Sequence, residues 1–417
     1  MLRETVERAL RERRADDGTL RPEYGDYCFS NVPDTLSSIV GAPAERPLPD
    51  DVFSGVETEA DRVVCVLLDG FGYAHWKRDY GKHPFLADLT ASGTVTPLTS
   101  TYPSETAAAM TTFASGRQPV EHGVLGWWQY VPEIDRVIQT LPFTTLDDEP
   151  LEETHGIGRD ALFPDLSTYE RIAAAGRVLT VVQPAEIAAV TARRLDDERV
   201  ETRPYRDAAE MALEIRRTLE SGREFVYAYS PRIDGVAHES GTEGDAYQAQ
   251  LASVTAALRR ELCEQLDPAI AGETLLVVAA DHGQVDTEAE KNVDLGGVEI
   301  WDHLRRDGDG EPIPPVGGPR NVRFHVRDGH VEALAAELSA LDARLFTRQQ
   351  ALARDLFGDR EPHPEFDDRC GELICVPRTE SVWWTDDELE LVGMHGGLDP
   401  NEMLVPFAAA DLVDLQA

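Results

Sequence analysis

Four near-continuous apolar runs punctuate the chain, and each ends abruptly in polar or turn-forming residues. Arg62–Leu68 stops at Asp69-Gly70, Val178–Val182 at Gln183-Pro184, Phe225–Tyr229 at Ser230-Pro231, and Thr274–Ala280 at Asp281-His282-Gly283. Apolar runs without alternation have the pattern of strands buried on both faces. Between them lie helical patterns. Ser167–Gly176 has a hydroxyl start and a glycine stop, and an Ala-rich amphipathic stretch runs from about Tyr247 to Leu266. Strands alternating with helices predict an α/β fold, a mostly parallel sheet sandwiched by helices.

The pattern changes after residue 285. A Gly/Pro-rich segment, Asp307–Arg320, leads into a strand at Asn321–Val326, a helix at His330–Leu338 and a further strand at Glu372–Val376. This reads as an inserted smaller subdomain. The predicted division is a catalytic core over 1–285, a cap-like insert over 286–390, and a return to the core over 391–417 at Met394-His395-Gly396-Gly397.

Composition narrows the class. The 417 residues include 77 acidic and 39 basic side chains, a formal charge of −38, with 42% apolar residues. The apolar share is that of a globular protein, and the acidic residues are spread along the chain instead of forming a disordered tail. Such a surface repels phosphate backbones and anionic lipid, so neither a nucleic-acid polymer nor a membrane is the expected partner. Only Lys77, Lys82 and Lys291 are lysines. Acid enrichment with lysine loss points to a halophilic, salt-rich cytoplasm, where a Debye length of roughly 3 Å screens self-repulsion. The five cysteines form no CxxC pair, which favours a reducing compartment. No stretch approaches the roughly 20 apolar residues of a membrane span, and the first residues form a charged amphipathic helix without an apolar signal core. The expectation is a cytoplasmic protein; its oligomeric state is left open.

The chemistry sits where strands end. In open α/β sheets ligands bind beyond the carboxyl ends of the strands. Asp69, the i, i+4 pair Asp234 and His238, Asp281-His282, and His395 in a glycine-rich turn together supply three carboxylates and three imidazoles. Equal shares of the two suit zinc or manganese, whereas an all-oxygen set suits magnesium or calcium. The hydroxyl-rich segment Thr96–Thr112 precedes an Ala-rich helix start, and a hydroxyl at a helix N-terminus is a candidate nucleophile toward phosphorus. Simple N-capping by Ser104 or Thr106 fits the same residues.

These pieces resemble, in order, the type I phosphodiesterase and nucleotide pyrophosphatase branch of the alkaline phosphatase superfamily. They are Val66–Phe71, Thr99–Ser104, Ser115–Gly126, Asp234–Gly241, Ala280–Gly283 and Met394–Gly396. The resemblance implies an alkaline-phosphatase-like core and two divalent metal ions, most simply Zn2+ with Mn2+ as the alternative. Asp69, Thr101, Asp281 and His282 would surround one ion, with Thr101 as the nucleophile before Tyr102-Pro103. Asp234, His238 and His395 would hold the other. The implied reaction is hydrolysis of a small phosphoester through a phosphothreonine.

One departure is Ser104-Glu105, which stands where eukaryotic-type members have Asn-His; this is closer to the prokaryotic branch. Ser104 is then a substrate-binding candidate, as is Arg320 in the insert, while Glu105 would repel phosphate if it pointed inward. His122 is read as structural. The aromatic set Tyr102, Trp127, Trp128 and Tyr130 could stack a base or aglycone. Alternative readings are a phosphomonoesterase or phosphonate hydrolase using the same site, and a non-catalytic interaction module of the same fold. No Cys or Ser stands in the setting that a sulfatase requires.

Overall fold

The structure, a computed structural model, describes residues 1–195, 197–384 and 389–416. Its strands are β1 (Arg62–Leu68), β2 (Thr94–Thr99), β3 (Trp128–Val131), β4 (Arg136–Gln139), β5 (Leu179–Pro184), β6 (Val200–Tyr205), β7 (Phe225–Ser230) and β8 (Thr274–Ala279). After these come β9 (Val285–Asp286), β10 (Val293–Asp294), β11 (Val316–Gly318), β12 (Asn321–Phe324), β13 (Ala343–Thr347), β14 (Leu373–Pro377), β15 (Val382–Trp383), β16 (Gly393–Met394) and β17 (Leu404–Asp411).

All four apolar runs become strands of one seven-stranded sheet, ordered β2-β17-β8-β1-β7-β5-β6. From β8 to β6 the strands are parallel, and β17 runs against both of its neighbours. β7 and β8 are buried along their whole length, and β1 everywhere but Arg62. Such residues have no solvent face to present, which is why their sequence shows no alternation. Helices pack on the sheet. The stretch expected as one helix to Leu266 is an α-helix over Asp245–Leu258 that continues as a π-helical turn, Arg259–Glu264. Phe113, on the helix Thr106–Ser115, stacks on Tyr227 of β7 at 4.6 Å between ring centroids. Each large side chain buried this way contributes roughly 1.5–3 kcal/mol. No helix among the described residues is long and apolar enough to cross a membrane.

A second, six-stranded antiparallel sheet is ordered β13-β14-β12-β11-β3-β4. Its core joins Val322, Phe324, Leu373 and Cys375 to Leu334 and Leu338 of the helix Val331–Leu338. Four strands come from the segment read as the insert, but the hairpin β3–β4 comes from within 1–285. The smaller unit is therefore assembled from two stretches of chain, through the pairing of Trp128 with Gly317. Sequence proximity carries no signal of that contact. β9 pairs with β16, which sets residues 286 and 393 side by side. The segment between them thus leaves and rejoins the core at one place.

Candidate metal centre

β8, β1 and β7 are neighbours in the sheet, so the turns at their carboxyl ends open onto one space. Asp69 follows β1 directly, and Asp281 and His282 follow β8. The helix Arg232–Ser240, two residues after β7, carries Asp234 and His238 one turn apart. His395 follows β16. The structure gathers them into two groups, Asp69 with Asp281 and His282, and Asp234 with His238 and His395; within each, the ligand atoms lie within 4.8 Å of one another. The rings of His282 and His395 stack at 3.7 Å and 17°, so the groups share a wall. Glycine makes the close approach possible behind them: a Cβ on Gly283 would sit 2.0 Å from the Asn401 carbonyl oxygen.

Backbone carbonyls fix the three imidazoles. His238 Nδ1 lies 2.6 Å from the Gly393 oxygen, His282 Nδ1 3.0 Å from that of Gly283, and His395 Nδ1 3.2 Å from that of Ser104. A carbonyl can only accept, so each Nδ1 carries a hydrogen and each Nε2 is the atom left to face a ligand. Those Nε2 atoms face the carboxylates: His282 is 3.2 Å from Asp69 and 3.5 Å from Asp281, His238 is 3.1 Å from Asp234, and His395 is 3.6 Å from Asp234. Outer partners hold the acids. Tyr229 donates its hydroxyl hydrogen to Asp69, Gln284 donates to Asp234, and the Gly70 N–H donates to Asp281 at 3.2 Å.

The three carboxylates are buried, and no lysine or arginine among the described residues lies within 4.0 Å of any of them. One oxygen of Asp281 has no hydrogen-bond partner at all. An uncompensated buried carboxylate costs several kcal/mol, so these residues fit divalent cations. Burial, then the neighbouring Asp69, pushes Asp281 well above the usual carboxylate range. For His282 burial is outweighed by Asp281 and Asp69, and the ring is pushed up to about 10; His238, facing Asp234, reaches about 9.

The hydroxyl that reaches this cluster belongs to Thr106, not Thr101. Thr106 opens the helix Thr106–Ser115, and its Oγ1 lies 3.0 Å from His282 Nε2 and 3.4 Å from Asp69 Oδ1. Thr101, two residues past β2, is wholly buried and turns its hydroxyl to the Pro103 carbonyl oxygen at 3.2 Å. Four residues, Tyr102 to Glu105, separate it from the helix start. Ser104 also departs from expectation, donating its hydroxyl hydrogen to the Gly397 carbonyl at 2.8 Å; its contribution is the carbonyl that orients His395. Arg320 is buried in a two-pronged ion pair with Glu402, at 3.0 and 2.8 Å, so it has no free face for an anion. His122 is structural, accepting the Val124 N–H at Nδ1 and meeting the Thr112 hydroxyl at Nε2.

Tyr229 and Gln284 are site residues that the sequence reading does not name, and Thr106 and Glu105 stand there only as an N-cap and as a group that would repel phosphate. For Thr106 the signal was present in the hydroxyl-rich segment that ends at the helix start. Glu105 is buried and accepts the Trp127 N–H, while its other oxygen lacks a partner; burial pushes its carboxyl up to about 7. Above the metal groups lies a cleft of about 330 Å3, lined by Thr106, Ala107, Glu105, Trp127, Trp128 and Trp383 among others. Of the aromatic set, Trp127 and Trp128 face this cleft. Tyr102 is buried against Asn321, and Tyr130 binds Asp135.

Comparisons with known proteins bear on the family and the fold. The family model described as type I phosphodiesterase / nucleotide pyrophosphatase matches residues 63–398. No match among curated protein sequences is significant. Among solved structures, murine ectonucleotide pyrophosphatase / phosphodiesterase 5, an inactive variant in complex with AMP, superposes with a TM-score of 0.62 at 14% identity. The alignment covers 85% of this chain and 93% of that one. The human counterpart gives 0.62 at 14%, covering 85% and 92%. Phosphonoacetate hydrolase from Sinorhizobium meliloti 1021, in complex with phosphonoformate, gives 0.60 at 19%, covering 86% and 94%.

Proposed function

The chain belongs to the type I phosphodiesterase / nucleotide pyrophosphatase family, and from that premise we propose that it is a phosphoester hydrolase that uses two divalent cations and Thr106 as nucleophile. The observation that carries this reading is the Thr106 hydroxyl, set at a helix N-terminus against His282 and Asp69. Asp69, Asp281 and His282, with Thr106, would hold one ion, and Asp234, His238 and His395 the other. The mixed oxygen and nitrogen donors favour zinc, with manganese as the alternative. Bound there, such ions supply Lewis-acid polarisation of phosphoryl oxygens and acidify a neighbouring hydroxyl.

The chain's own residues do the rest. The first N–H groups of the helix Thr106–Ser115 have no intrahelical acceptor; the first intrahelical bond runs from Ala109 to Glu105. They offer donors and a positive dipole end to a phosphoryl group. Thr106 forms the new O–P bond, the bond to the departing alkoxide breaks with its electron pair, and the Thr106 hydroxyl proton ends on that alkoxide, which leaves as an alcohol. Water then cleaves the phosphothreonine and restores the hydroxyl. Trp127, held by Glu105, walls the cleft over the reacting atoms.

A small diester or nucleotide pyrophosphate is the proposed substrate, in a salt-rich cytoplasm. Support comes from the charge of −38, which repels polymers of phosphate and anionic membranes. A phosphonate or phosphomonoester at the same site is the second reading, favoured by the small volume of the cleft. The test is a panel of bis-p-nitrophenyl phosphate, p-nitrophenyl phosphate, phosphonoacetate and a dinucleotide pyrophosphate, each with zinc, manganese or chelator. Metal-dependent turnover of the diester above the monoester is expected. A protein that binds no metal and turns over none of them would instead be an interaction module.

A further inference from the structure

A second chamber of about 490 Å3 opens beside the metal centre and shares Thr106, Trp127, Leu141 and Tyr229 with the first as lining. Its walls are apolar, formed by Met110, Ala114, Phe163, Leu166, Ile187 and Val190, but two arginines also line it. Arg159 and Arg194 both approach one aromatic ring, their guanidinium carbons 5.7 and 5.5 Å from the centre of Phe163; Arg159 also covers Phe143 at 5.2 Å. The hydrogen bonds that hold them go to neutral carbonyls. Arg159 donates to Leu141 and Pro142 at 3.0 and 2.8 Å, and Arg194 donates to Pro164 at 2.6 Å.

Neither guanidinium has a carboxylate within 4.0 Å among the described residues; Glu186, also on the chamber wall, is exposed and pairs with neither. In a chain with 77 acidic residues, two half-buried arginines on one chamber wall that form no ion pair are out of keeping with their surroundings. Burial first, and the charge of Arg194 after it, lower Arg159 to about 10, with Glu152 acting against both. An anion in the chamber would take charge-assisted hydrogen bonds from these planar donors, which are suited to it.

We propose that this chamber takes the organic substituent of the phosphoester, and that Arg159 and Arg194 select substituents with an apolar body and an anionic end group. The inference rests on the hydrolase reading for the word phosphoester; the selection itself does not. The chamber walls supply the apolar contact, its continuity with Thr106 supplies the link to the reacting phosphorus, and the two arginines supply the charge preference.

The test uses two matched pairs of probes. Binding of 3-(4-hydroxyphenyl)propionate and of its carboxamide to the full chain is measured by calorimetry. Turnover of methyl 4-(2-carboxyethyl)phenyl phosphate and of its carboxamide is measured with zinc or manganese. The acid is expected to bind on the order of tenfold tighter than the amide, as one charge-assisted contact provides, and kcat/KM should show the same preference. Arg159→Gln with Arg194→Gln should bring both ratios close to one, and Arg159→Lys should restore part of them. Equal binding of acid and amide by the unaltered chain, or a ratio unmoved in the double variant, overturns the proposal. If the binding ratio holds but neither ester is cleaved, the hydrolase reading fails and the selection stands. If both esters are cleaved equally and bound equally, the selection fails and the hydrolase stands.

Discussion

Two buried sets of charged side chains lie close together in this molecule and are built on opposite plans. Around Glu402 every acceptor is filled. Arg320 reaches both oxygens, the N–H groups of Gly397 and Asp399 donate at 2.9 and 3.2 Å, and the spare guanidinium hydrogens go to the carbonyls of Glu380 and Arg378. Around Asp69, Asp234 and Asp281 one carboxylate oxygen of Asp281 has no hydrogen-bond partner, no lysine or arginine among the described residues comes within 4.0 Å, and three imidazole Nε2 atoms point inward. The first set is electrically closed and serves to fix the loop that carries His395. The second is open and makes sense only with something bound. Burial and charge alone do not separate structure from function, but an unfilled valence does.

Experiments can break or sharpen that contrast. The largest effect is expected from Thr106→Ala, which should lower diester turnover by more than about 10^3-fold, whereas Thr101→Ala should stay within about tenfold in steady-state assays. The reverse result would return the nucleophile to Thr101. Next, Arg320→Met should destabilise the fold by about 3–5 kcal/mol in urea unfolding, because it leaves Glu402 buried and unpaired, and adding Glu402→Leu should recover most of the loss. A specific rise in KM with unchanged stability would instead make Arg320 a substrate ligand. Removing metal should abolish turnover and lower stability by about 2.7 kcal/mol relative to protein at a hundredfold excess of ion over Kd, read as a fall in thermal midpoint on chelation. Metal analysis of the untreated protein should give about two ions per chain, and Asp281→Asn should cut that number.

The smallest effect concerns His122, a buried imidazole closed by protein partners on both nitrogens. Burial pushes it down to about 3, below the unfolded value of about 6.5. The unfolded chain therefore takes up the proton first. The stability that His122 contributes is complete above about pH 6.5 and is lost as pH falls through the interval down to about 3. At pH 5 the loss is about 2 kcal/mol, and His122→Gln should flatten this slope in urea midpoints taken between pH 7 and 5.

Much of this was legible from the sequence because burial on both faces leaves a local trace. The runs at β1, β5, β7 and β8 were visible as uninterrupted apolar stretches, and their abrupt ends located Asp69, Asp234, His238, Asp281 and His282. What was not legible depends on contacts between distant segments. The hairpin β3–β4 reads as part of the core until its pairing to Gly317 is seen. Arg320 looks like an anion contact until Glu402, 82 positions away, is placed against it. Thr101 differs for another reason. The aromatic-proline pair after it matches the family motif, but its hydroxyl turns to the Pro103 carbonyl, and the helix, with Thr106 at its mouth, begins five residues later.

The support of the three histidines by main-chain carbonyls has a consequence for the conditions under which the site stays aligned. Each ring is held by a neutral dipole belonging to the backbone at Gly393, Gly283 or Ser104. A carboxylate in that role would let go on protonation and would be weakened by dissolved ions; a carbonyl does neither. Ring orientation is thereby inherited from the path of the chain, and brine or a shift of pH can reach it only by unfolding the turns themselves.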